Sequence, residues 1–120
     1  MIEGTIENGL YPRINIALIS GNDTHNLKAL VDSGFDSDLG LNYKYADLFH
    51  LEIEDFILVE YANGKLEEEI SCIGYIYWFN KKKKIQIILS DDEEPTIGTR
   101  LLQSSVVTMD FIKNLLTIIK

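Results

Sequence analysis

The run Ala29-Leu30-Val31-Asp32-Ser33-Gly34-Phe35 decides how the rest of the chain is read. Three apolar residues that suit a buried strand end on a carboxylate, a hydroxyl and a glycine. A carboxylate brought to the edge of a core is costly unless pairing or chemistry compensates it. Asp32 is therefore the first candidate functional residue. Asp-Ser-Gly is also a common turn sequence, so a plain turn carboxylate is the competing reading, and the order of the flanking elements has to choose between them.

Upstream, Ile14, Ile16 and Leu18 alternate with Asn15 and Ala17, which predicts a strand over Pro12 to Ile19, preceded by one over Thr5 to Asn8. A turn at Gly21-Asn22-Asp23 returns the chain as a strand over Leu27 to Val31. Downstream, Leu39-Gly40-Leu41 is a brief extended piece, and Asn42 suits the cap of a short helix running through Leu51. Phe56 to Tyr61 and Leu66 to Ser71 flank Ala62-Asn63-Gly64-Lys65, and Asn-Gly between apolar runs predicts a hairpin. Cys72 to Phe79 and Ile85 to Ser90 read as a further strand pair, with Lys81 to Lys84 at its turn. Thr99 caps a short helix through Ser105, and Val106 to Ile119 closes the chain as two apolar runs around Lys113-Asn114. The pattern predicts a mainly β fold, a small closed antiparallel β-barrel with one or two short helices.

That order resembles the retropepsin-like aspartic proteases, the acid-protease family that includes retroviral proteases and their single-domain cellular and bacterial relatives. In that family a strand ends in Asp-Thr/Ser-Gly, a hairpin flap comes later, and an apolar pair plus Gly opens a late helix. Here Asp32-Ser33-Gly34 matches the first element, Asn63-Gly64 the flap tip and Ile97-Gly98 the late element. Val107-Thr108-Met109-Asp110-Phe111 and Leu115-Leu116-Thr117-Ile118 look like the closing strands, so the resemblance runs from about Ile14 to Ile119. Two positions depart from the family pattern. Phe35 follows the glycine where most members carry a small residue, and Arg100 stands where an Asp or Asn leads into the apolar pair.

Aspartic proteolysis needs two carboxylates close together, since like charges at that distance cannot both ionise and the pair holds one proton. The chain carries one Asp-Ser-Gly, and 120 residues form one domain with no room for a second lobe. The resemblance therefore implies a homodimeric aspartic endopeptidase in which Asp32 of each subunit faces its copy across a two-fold axis. It implies catalytic roles for Asp32, Ser33 and Gly34, with the Ser33 hydroxyl holding the two loops together. It also implies substrate-binding roles for Phe35, Asn63 and Gly64, and a peptide or protein as substrate. The alternative is a non-catalytic module that keeps the retropepsin-like fold for dimerisation or peptide binding. A third reading is an unrelated small β-barrel.

Composition limits the other classes. A net charge of −8 argues against nucleic acid, which calls for clustered cations. Lys81 to Lys84 is the one basic cluster; it reads as a solvated loop, with an anionic-ligand site as the alternative. Glu67-Glu68-Glu69 and Asp91-Asp92-Glu93-Glu94 are expected to balance it, the latter as an exposed loop. Asp36 and Asp38 lack calcium-loop spacing and are expected to be solvated or capping residues. Cys72, the only cysteine, excludes an intrachain disulfide and is expected to pack as a small apolar residue. No phosphate loop, zinc signature or dinucleotide fingerprint is present, so no cofactor and no metal are expected. No apolar run has transmembrane length and Met1-Ile2-Glu3-Gly4 does not open a signal segment, so the expectation is a cytoplasmic protein without a membrane partner.

Overall fold

The computed structural model describes residues 1–120, the side chain of Val59 excepted. Strands β1 (Ile2–Glu7), β2 (Tyr11–Ser20) and β3 (Asp23–Val31) form two successive antiparallel hairpins. Alternation along β2 buries Ile14, Ile16 and Leu18 on one face, and β3 adds Ala29 and Val31. After the loop carrying Asp32 come β4 (Leu39–Asn42), the one-turn helix α1 (Lys44–Leu48) and β5 (Glu52–Glu60). Then follow β6 (Leu66–Trp78), β7 (Lys81–Ser90), the two-residue β8 (Thr96–Ile97), α2 (Thr99–Leu102), β9 (Val106–Asp110) and β10 (Leu115–Ile119).

The strands join one sheet in the order β5-β6-β7-β4-β8-β3-β2-β1-β10-β9, with an added pairing of β6 to β2. That pairing, Ala17 opposite Tyr77 through Ile19 opposite Tyr75, links β2, β3, β8, β4, β7 and β6 into a ring of hydrogen-bonded neighbours. Two pairings in the ring, β3 with β8 and β4 with β7, are parallel, which corrects the expectation of a wholly antiparallel arrangement. Neither pair is joined by a hairpin. The long intervening chain supplies the crossover that parallel neighbours require.

Local chemistry explains the other departures from expectation. The predicted strands over Leu66 to Ser71 and Cys72 to Phe79 are one continuous strand of 13 residues. The lysine run lies in β7, not in a turn, because Phe79 and Asn80 both take left-handed backbone, φ 51° and 62°, and close a two-residue turn before it. Lys81 is already paired with Trp78, and Lys82 lies over the Tyr75 ring. Tyr43 takes the cap position of α1, while Asn42 Oδ1 accepts the Lys44 N–H at 3.0 Å. The helix stops where His50 turns left-handed, φ 51°. His25 sits within β3 and stacks on buried Phe49.

The core inside the ring is built from Leu39, Leu41, Ile76, Ile87, Leu89 and Ile97 together with the β2 and β3 residues, and Leu101 of α2 closes it. Cys72 is buried among them, and burial pushes its thiol pKa up, as befits a packed residue. Gly74 of β6 is required by the packing: a Cβ there would overlap Cδ1 of buried Ile87. Gly74→Ala is expected to cost about 1–3 kcal/mol through overpacking. Ile87→Val, which removes that Cδ1, should relieve most of the cost, and chemical denaturation of the four chains of the double-mutant cycle measures the coupling.

Candidate active site

The loop between β3 and β4 leaves the sheet at Asp32, crosses the end of β8 and enters β4 at Leu39. Backbone bonds hold it to both sides. The Asp32 N–H donates to the Ile97 carbonyl at 2.9 Å, the Gly98 N–H to the Asp38 carbonyl at 3.2 Å and the Thr99 N–H to the Phe35 carbonyl at 2.7 Å. Thr99 Oγ1 donates to that same Phe35 carbonyl. The late Ile97-Gly98 element is thus the platform on which the Asp32 loop rests.

Asp32 itself is exposed, and its Oδ1 accepts the Gly34 N–H at 2.8 Å. Gly34 does not take left-handed backbone, so its use is space: a Cβ there would sit 3.2 Å from Asp32 Oδ1. Ser33 is exposed beside it. Phe35 is half-buried and lies over Gly40 and Gly98, where a Cβ at either glycine would meet its ring.

Asp32, Gly34 and Phe35 line a cavity of about 340 Å³ whose other walls include Gly40, Ile88, Thr96 and the residues Glu60, Tyr61 and Ala62. The last three belong to the hairpin of β5 with the first half of β6, whose exposed Phe56, Leu58 and Leu66 mark it as standing off the core. Asn63 and Gly64 form its tip. The Gly64 N–H donates to the Tyr61 carbonyl, the Lys65 N–H to Asn63 Oδ1, and Gly64 has φ 80°. The cavity wall on this hairpin is therefore Glu60 to Ala62, with Asn63 and Gly64 at the turn beyond them. Arg100 is not among the lining residues; its Nη1 donates to Gln86 Oε1 at 3.1 Å.

Two acidic residues behave differently from expectation. Asp38 is neither solvated nor a helix cap: it is buried, and its Oδ2 accepts the Gln86 N–H at 2.9 Å, which ties the loop to β7. Glu69 does not balance the lysines. It is 2% exposed, takes a hydrogen bond from Tyr61 Oη and lines the cavity. The period of β6 hides it, because Ile70 and Cys72 mark the apolar face and put Glu69 and Ser71 on the other. Both are buried all the same, Glu69 against the Tyr61 hydroxyl and Ser71 against the Gln86 side chain. The loop at Asp91 to Glu94 is mostly exposed, as expected, with Glu93 paired to Lys44 and Glu94 to Arg13.

Burial holds the Glu69 carboxyl above the usual carboxylate range, and Asp91 and Asp92 push it the same way. Below the ordinary pKa both the folded and the unfolded chain carry this proton, and the folded state pays nothing. As pH rises from about 4.5 through the raised folded value the unfolded chain ionises first, so stability is lost. Glu69→Gln is expected to remove that slope. Thermal unfolding at about pH 4 and about pH 7 should show the variant gaining on the native chain at the higher pH.

This arrangement of elements recurs in solved structures. EIAV protease complexed with the inhibitor HBY-793 aligns with a TM-score of 0.62 at 20% identity, over 82% of this chain and 91% of that one. A retropepsin-like aspartic protease from Rickettsia conorii aligns with a TM-score of 0.60 at 21% identity, over 98% of this chain and 88% of that one. The fold is that of the retropepsin-like aspartic proteases. No family model matches the sequence, and no curated protein matches it. The retropepsin-like fold accounts for the order of strand, Asp32 loop, hairpin and late Gly98 element, with Gly98 beneath the loop. Among the described residues no helix is long and apolar enough to cross a membrane.

Proposed function

We propose that the chain is a homodimeric aspartic endopeptidase of peptide or protein substrates, a single retropepsin-like domain whose strand ring acts as a small barrel. The observation that carries this is the position of Asp32, exposed at the margin of a 340 Å³ cavity that a hairpin covers from the other side. Phe35 forms a wall of that cavity without filling it, and Arg100 is turned away toward Gln86. A peptide in the cavity would lie between Asp32 and Tyr61, with the hairpin excluding water.

The chemistry follows from pairing two copies of Asp32. Two carboxylates facing each other share one proton, the established pattern of aspartic proteases. The ionised group takes a proton from a water held between them while that water attacks the scissile carbonyl, and the protonated group donates toward the carbonyl oxygen. Collapse of the tetrahedral intermediate breaks the C–N bond as the carboxyl that took the water's proton gives it to the leaving nitrogen. The other carboxylate takes a proton back from a hydroxyl of the intermediate, restoring the shared proton. The titration belongs to the pair. Ser33, exposed next to Asp32, is the group that would tie one loop to the other subunit's loop.

Support for the dimer comes from the sheet edge. Strand β9 ends the strand order, so one side of its backbone has no neighbour in the chain. Val106 on it, and Phe111 and Ile112 in the turn after it, are exposed large apolar side chains. A lone buried thiol, Cys72, suits a reducing compartment such as the cytoplasm. The test is the mass in solution together with cleavage of a degenerate peptide library from acidic to neutral pH. The expected result is a dimer of 13.7 kDa chains that cleaves best in acid. A strict monomer, or a rate that climbs steadily through neutral pH, would contradict it, and a dimer that cleaves nothing would leave the peptide-binding module.

A further inference from the structure

Every charged residue among the described residues that line the cavity is acidic: Asp32, Asp36, Glu60, Glu69 and Asp92 line it, with no Lys, Arg or His beside them. Glu94, also at the wall, already has its charge held by Arg13. Glu69 is the unusual member. It is 2% exposed, Tyr61 Oη satisfies one of its oxygens, and the other, Oε2, is buried with no hydrogen-bond partner. Leaving a buried carboxylate oxygen unpaired costs free energy that a folded chain ordinarily avoids. The cost is recovered if a donor arrives with the ligand.

The chemistry of that donor is restricted by the walls. An anionic or acidic group would meet like charge from five carboxylates. A metal ion is disfavoured because, among the described residues, no three His, Cys, Asp or Glu side chains are grouped to hold one. Phe35, Gly40, Ala62 and Ile88 add apolar surface to the same cavity. A long aliphatic stem ending in a cation satisfies both, its methylenes against the apolar wall and its charged head among the carboxylates.

We infer that the cavity is a specificity pocket for a lysine or arginine side chain of the peptide substrate, with Glu69 as the residue that selects it. This rests on the protease reading for its place beside the scissile bond, whereas the recognition itself does not need cleavage. The pocket is formed jointly by the Asp32 loop and the hairpin, so a basic side chain in it also draws Tyr61 and Glu69 toward the substrate.

The test uses matched peptides from the cleaved library that differ only in lysine against norleucine at one position. Assayed at about pH 7, above the ordinary carboxylate range, the native dimer is expected to favour lysine in kcat/KM by at least about tenfold, and Glu69→Gln to bring the ratio to about twofold or less. Asp92→Asn, a surface loop change, should lower the ratio in part. Glu68→Gln, exposed on the same strand, should keep it. The same peptides are also measured for binding, by fluorescence anisotropy, to the Asp32→Asn chain with and without Glu69→Gln. Absence of cleavage alongside Glu69-dependent preference in binding would sink the protease and keep the pocket. Equal treatment of lysine and norleucine by the native chain in cleavage and by the Asp32→Asn chain in binding, or a preference that Glu69→Gln leaves intact, overturns the pocket whatever becomes of the protease.

Discussion

Asp32→Asn abolishes peptide cleavage, with kcat/KM falling on the order of ten-thousand-fold, while the mass in solution and the thermal unfolding of the chain are unchanged. The two halves of that expectation have separate physical reasons. The fold is indifferent because Asp32 is exposed and its side chain accepts a single hydrogen bond, from the Gly34 N–H to Oδ1, which an asparagine oxygen accepts equally well. The chemistry is not indifferent, since an amide can neither take the proton of the attacking water nor share one with the opposite carboxylate. Cleavage is read by mass spectrometry of the peptide products, and unfolding by circular dichroism. Residual cleavage at a tenth of the native rate would move the reaction away from Asp32.

Gly98→Ala should be a severely damaging small change, costing about 3 kcal/mol and lowering Tm by ten degrees or more. Gly98 has φ −105°, an ordinary value, so the cost does not come from backbone conformation. It comes from space. A Cβ there would overlap the Ser37 carbonyl oxygen and lie 2.5 Å from the Phe35 carbonyl oxygen and 2.8 Å from Phe35 Cδ2. Two of these are backbone atoms of the Asp32 loop and cannot rotate out of the way. The loop would have to lift, taking with it the bonds from Thr99 to the Phe35 carbonyl and from Gly98 to the Asp38 carbonyl. Activity should therefore fall together with stability. Gly9→Ala and Gly21→Ala make the contrast: both positions open to empty space but have positive φ, 67° and 59°, and should each cost only about 1 kcal/mol with activity retained. Denaturant unfolding of the three variants separates the two mechanisms, and a Gly98→Ala chain as stable as Gly21→Ala would refute the packing account.

The difference between what could and could not be read from the residues follows the range of the interactions. Alternation along Ile14, Ile16 and Leu18 and the turn signals Gly21-Asn22 and Asn63-Gly64 are local, and the strands and hairpins they imply are present. Asp32-Ser33-Gly34 was visible because a carboxylate at the end of an apolar strand is conspicuous wherever the chain goes. Parallel pairing of β3 with β8 was not, because nothing in Leu30-Val31 or Thr96-Ile97 names a partner so far away in sequence. Asp38 and Glu69 were misread for one reason. Each is a charged residue with another acidic residue close by in sequence, and its contacts come from residues its own stretch does not name, the Gln86 N–H of β7 for Asp38 and the Tyr61 hydroxyl for Glu69. The lysine run illustrates the converse. Lys81 to Lys84 looks like a turn by composition, yet Phe79 and Asn80 make the turn and the lysines extend a strand.

The central claim is that one site is shared by two chains, each giving Asp32. Subunit mixing tests it directly: native chains are equilibrated with an equal amount of Asp32→Asn chains, and cleavage is compared with that of the same total concentration of native chains alone. If both carboxylates are needed, only dimers of two native chains act, and activity falls to about one quarter. Activity of about one half would mean that each chain works on its own, and the shared site would be wrong.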